Sequence, residues 1–142
     1  MTSRIIRPVE RGVYDFSGLA TSGAATITLA RQINVTAYKE VTVYTRLHTG
    51  TSVTATLATN SIAINADGYT DEDPASNDAN NAVQGFQSQV ASITLGTSPG
   101  SLVVTAVPSN FGSMLSLFWS VKPSVTGTIR FFLSMDLICK EY

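Results

Sequence analysis

Toward its C-terminus the chain alternates. Ile129, Phe131, Leu133, Met135 and Leu137 fall on one side of a run whose other side carries Arg130, Phe132, Ser134, Asp136 and Ile138. A period of two is that of a β-strand with one face buried. The run before it, MLSLFWSV (114–121), is equally apolar, and a Pro/Gly/Thr turn joins the two. Earlier, EVTVYTRLH (40–48) puts Val41, Val43, Thr45 and Leu47 inward and Thr42, Tyr44, Arg46 and His48 outward. Gly50 in the following TGT supplies a hairpin turn, and SVTATLAT returns with Val53, Ala55 and Leu57 inward. ATITLAR, QINVTAY, SIAIN, FQSQVASITL and SLVVTAV are further strand-like runs, with TSPGS and PSNFGS as turns. This makes about eight or nine strands at regular spacing and no helical period, the mark of an all-β sandwich or barrel. The expected fold is an antiparallel two-sheet sandwich of jelly-roll type. An immunoglobulin-type sandwich is the alternative, without the usual Cys–Trp–Cys pattern.

Two segments escape the alternation. Residues 1–23 read as an extended N-terminal arm with a flexible joint, SGLATSG, ahead of a sandwich domain over 24–142. Pro8 removes a ladder donor from the arm. Ile5, Ile6, Val9 and Val13 give it apolar surface to bury, either as a first edge strand or on a neighbouring subunit. Residues 66–84, ADGYTDEDPASNDANNAVQ, hold turn formers without an apolar period and read as a long loop.

Composition changes the picture in one respect. Only 13% of the 142 residues are charged, against roughly 25% in typical soluble domains, and Ser and Thr take their place. Such a surface resists association poorly, which suits a protein partly covered by partners. The net charge of −1 is unevenly spread. Arg4, Arg7, Arg11, Arg31, Lys39 and Arg46 crowd the first third, whereas Leu47 to Val121 holds no Lys or Arg but carries Asp67, Asp71, Glu72, Asp73 and Asp78. Opposite patches of this kind set register in self-assembling proteins. Cys139 stands alone, so no intrachain disulfide forms, and its neighbours mark it as a packed thiol. The N-terminus has no signal-peptide pattern and no run approaches the ~18 apolar residues of a membrane span, so the chain is expected to be made in a host cytoplasm with no membrane partner.

Candidate chemistry is sparse. His48, the single histidine, flanks a tight turn on the outward face and reads as solvated. DGYTDED (67–73) has carboxylates for calcium, but its glycine follows the first Asp directly, unlike an EF-hand loop, and it reads as a solvated acidic loop. Phe118, Trp119, Phe131 and Phe132 offer aromatic surface for sugar stacking, a role that core packing more commonly absorbs. The acidic balance argues against direct nucleic-acid binding. No catalytic residues, cofactor or metal ligands are assigned.

The closing hairpin resembles small structural proteins of tailed bacteriophages, through Phe118, Trp119, Gly127, Phe131, Leu137 and Lys140, and so does INVTAYKEVTVYTRLHTGT. The resemblance implies a non-enzymatic virion protein of capsid decoration (cement) type, bound to the major capsid protein or another virion protein and forming a homo-oligomer such as a trimer. The partner-binding residues expected from arm and loop are Arg4, Ile5, Ile6, Arg7, Val9 and Arg11, with Asp71, Glu72 and Asp73 meeting them from a neighbour. A carbohydrate- or receptor-binding sandwich is the alternative from another class.

Overall fold

The computed structural model describes residues 2–69, 85–108 and 111–141, with the side chains of 68–69 and 85–87 set aside. Nine strands are present among them: β1 (Ser3–Asp15), β2 (Ala25–Asn34), β3 (Glu40–Leu47), β4 (Ser52–Val53), β5 (Thr56–Tyr69), β6 (Gly85–Thr94), β7 (Leu102–Val107), β8 (Met114–Val125) and β9 (Ile129–Lys140). They form two antiparallel sheets. Sheet A has the order β1-β9-β3-β7, with β4 also pairing β9, and sheet B has the order β2-β8-β5-β6. The pairings nest: β1 with β9, β2 with β8, β3 with β7 and β5 with β6. The chain is thus one long antiparallel ribbon rolled on itself, with β9–β3 and β8–β5 closing the sheets, which is the jelly-roll wrap.

Alternation builds the core as the sequence indicates. Phe131, Leu133, Met135, Leu137 and Cys139 of β9 are fully buried, facing Leu115, Leu117, Trp119 and Val121 of β8 across the sandwich. Trp119 is the hub. Its ring meets Phe131 edge-on at 4.9 Å, Phe16 at 5.2 Å and Tyr14 at 5.4 Å, a geometry that adds to plain area burial. Its indole Nε1–H is satisfied by Asn60 Oδ1 at 2.8 Å. Trp119 and Phe131 fill the core, while Phe118 and Phe132 are half-buried on the outer faces of opposite sheets, so the four share no common sugar platform.

The segment read as an arm is corrected. Ser3–Asp15 pairs with β9 along its length and is the edge strand of its own sheet. Two register shifts, between Ile6 and Val9 and between Val9 and Gly12, each insert a residue. They keep Ile6, Val9, Gly12 and Tyr14 level with the inward residues Leu137, Met135, Leu133 and Phe131. Pro8 lies within the first shift, where a missing ladder donor is tolerated. Asp15 closes the strand with Arg130 at 2.9 Å and accepts the Ser17 N–H at 2.9 Å. Hydrogen bonding to Ser17, with help from Arg130, lowers its pKa from 3.8 to about 2. The stability linked to this carboxylate is present above pH 3.8 and is lost as the pH falls toward 2.

The expected loop also starts later than the sequence suggests, because β5 continues to Tyr69. Asp71, Glu72 and Asp73 lie outside the described residues.

Cys139 is fully buried, and burial pushes its thiol pKa up, opposed by Arg4. The native thiol is therefore expected to react with a thiol-specific reagent at least tenfold more slowly than in denaturant. Fast modification of the folded chain would show that this end of the sandwich opens.

Candidate functional site

Sheet A turns its second face outward, and the register assembles that face in rows. Ile5 of β1, Ile138 of β9, Thr42 of β3 and Ala106 of β7 lie side by side. The next row runs through Asp136, Tyr44 and Val104, and the one after through Ser134, Arg46 and Leu102. Both edges of the sheet bear bare apolar side chains: Ile5 is 55% exposed and Val13 53% on β1, Leu102 46% and Val104 52% on β7. Among the described residues one other large hydrophobic, Val125, is comparably exposed. Exposed apolar side chains thus line both edges of this face, with Thr42, Asp136, Tyr44, Ser134 and Arg46 in the rows between.

Polar groups sit between the two edges. Arg7 Nε approaches Asp136 Oδ1 at 3.5 Å. Arg11 lies over the Phe132 ring, 4.7 Å from its centre. His48 Nε2 and Ser134 Oγ are 2.6 Å apart, and the His48 backbone N–H donates to the Phe132 carbonyl at 2.7 Å. His48 is thus fixed to β9 twice and half-buried, which corrects its reading as a solvated residue. Burial, with Arg11 and Arg46 nearby, lowers its pKa below 6.5, so the ring is neutral at pH 7. Protonation in acid therefore works against the folded state here. A depression of about 260 Å³ lies between this cluster and the apolar side chains of Ile5, Leu102 and Ile138, with Tyr44 as a wall.

A serine hydroxyl beside an imidazole invites comparison with a hydrolase. The third member of such a set would be a carboxylate orienting the ring. Asp136 is the acidic residue nearby, and it is engaged by Arg7. Ser134 occupies the middle of a strand paired on both sides. The Ser134–His48 bond acts as a cross-link between the end of β3 and β9.

The expected partner-binding residues divide. Ile5, Arg7 and Arg11 belong to the outer face. Ile6 packs against the core and Val9 is buried in it, so these two hold β1 down. Arg4 sits at the open end of the sandwich beside Ile6, Ile33 and Tyr38. Tyr44, Arg46, Leu102, Val104 and Ile138 carry no signal of a site in the sequence, because their meeting, and that with Phe132, depends on pairing strands far apart in sequence. Arg11 and Arg46 make no ion pair among the described residues.

No protein-family model matches the chain, and no curated protein does. Among solved structures it is similar in fold to a chain of "Structure of infectious bursal disease virus Gx strain", with TM-score 0.50 and 14% identity over 97% of this chain and 31% of that one. The likeness is one of fold. This chain spans about a third of the length of the chain it matches.

Proposed function

We propose that this chain is a non-enzymatic virion structural protein that docks through the outer face of sheet A. The carrying observation is the bare apolar Ile5, Val13, Leu102 and Val104 at both edges of that face. Its jelly-roll wrap, shared in fold with a chain from a virus structure, supports the same reading. The finer form of the proposal is a capsid decoration protein, as the tailed-bacteriophage resemblance implies, contacting the major capsid protein and its own copies, with a trimer favoured. Arg7, Arg11 and Arg46 give the face cations to offer, and the acidic run Asp71, Glu72 and Asp73 of a neighbouring copy carries the matching charge in sequence.

Sedimentation velocity tests the proposal. The intact chain is expected to self-associate, more weakly at high salt because exposed charge pairs are screened. Val104→Glu and Ile5→Glu, at exposed positions, are expected to leave Tm within a few degrees and weaken association at least tenfold. A chain that is monomeric at every concentration and salt, or variants that associate like the native protein, would contradict it.

A second reading has one observation in its favour. Tyr44 beside Arg46, Asp136 and the His48–Ser134 pair gives the depression an aromatic wall and several hydrogen-bonding groups, the chemistry of a sugar site. Binding on a glycan array that Tyr44→Ala abolishes would favour a receptor-binding module.

A further inference from the structure

Of the strands that end the two sheets, β1, β2 and β6 are guarded against pairing with a further strand, and β7 is not. Each of the first three carries extra residues against its neighbour, at the two register shifts of β1, the two of β2 and the one in β6. Bulges of this kind twist an edge away from an incoming strand. Charge adds to the guard, with Arg4, Arg7, Glu10 and Arg11 on β1 and Arg31 on β2. β7 has neither device. Its residues, LVVTAV, pair with β3 without a shift, and no charged residue occurs from Ala79 to Val121. Among the described residues β7 is paired on one side only.

The ladder decides which backbone groups of β7 are left over. The Leu47 N–H donates to the Ser101 carbonyl at 2.9 Å, whereas the His48 N–H donates to the Phe132 carbonyl at 2.7 Å. The two sides alternate along an antiparallel strand, so odd-numbered residues of β3 bond to β7 and even-numbered ones to β9. Val103, Thr105 and Val107 therefore use their backbone groups on β3. The N–H and C=O of Leu102, Val104 and Ala106 point to the open edge, and the same three side chains are exposed on the outer face.

We propose that β7 is a strand-addition site whose partner is β7 of a second copy, antiparallel and centred on Val104. This register uses every free group. Val104 faces Val104 of the second copy, and Leu102 faces Ala106 on either side, each pair exchanging its N–H and C=O bonds. The side chains that meet are apolar and uncharged, so two identical edges fit without repulsion. The contact is isologous and closes on two copies, making sheet A continuous across them. The inference rests on the self-association part of the proposed function and gives that association one defined contact, made by backbone at the sheet edge.

Oxidative cross-linking of the full chain carrying Val104→Cys is the test, with copper phenanthroline as oxidant. At the proposed twofold the Cα atoms lie about 5.5 Å apart, within the range a disulfide spans, and Cys139 is buried. A covalent dimer is expected at least tenfold faster than from Val13→Cys, an equally exposed position on the opposite edge. Adding Ala106→Pro should slow it at least tenfold and leave Tm within a few degrees, because the ring replaces an N–H that β3 does not use. Adding Ile5→Glu, which strikes the outer face and not the edge, should leave the rate within twofold, and this separates the edge contact from docking by the face. Should Ala106→Pro fail to fold, the comparison of Val104→Cys with Val13→Cys still decides. Cross-linking of Val104→Cys no faster than that of Val13→Cys overturns the proposal. So does a rate that a folded Ala106→Pro chain leaves unchanged, or one that Ile5→Glu lowers as far as Ala106→Pro does.

Discussion

Removing residues 2–13 is expected to leave a chain that does not fold. The deletion takes away most of β1, with Ile6 and Val9 from the core and the hydrogen-bonding partner of β9 along one edge. Each such apolar side chain contributes about 1.5–3 kcal/mol by its burial. The loss does not stop there, because Leu137, Met135 and Leu133, fully buried beside β1, become exposed. Together with the broken ladder this approaches the whole of a typical domain's stability, about 5–15 kcal/mol. Circular dichroism should show no cooperative transition. A truncated chain that melts within a few degrees of the native one would mean that β1 is dispensable, as an arm laid on a neighbour would be.

The second large effect is at the aromatic hub. Phe131→Ala should cost roughly 3–5 kcal/mol, through lost transfer energy and a cavity beside Trp119 that the sheets cannot close. In a chain of this size that lowers Tm by about 10–20 °C. The neighbour Phe132 points outward under Arg11 and is half-buried. Phe132→Ala should cost clearly less, and the contrast between adjacent phenylalanines measures which face is core. Equal losses at the two positions would show that the outer face is packed as tightly as the inner one.

These contrasts also show what the sequence makes legible. In β9 and β3 every second residue is buried, and all of these but Thr45 are apolar, so strand, face and core could be assigned from residues alone. β1 hides its strand character because two bulges break the period of two and Pro8 interrupts the ladder. β5 hides its far end because Asp67 and Gly68 look like loop residues, and only the pairing with the neighbouring strands shows them on a strand. The docking face was legible piece by piece. Ile138 and Phe132 were outward by alternation, but their union with Ile5, Tyr44 and Val104 follows from register between strands that are remote along the chain. The His48–Ser134 bond joins residues 86 apart and has no local signal.

Imaging of the assembled state by cryo-electron microscopy tests the central claim most directly. The account predicts density in which Ile5, Leu102 and Val104 are covered by a neighbouring copy or an underlying shell protein. Assemblies in which the outer face of sheet A points to solvent, with all contacts made elsewhere, would contradict it.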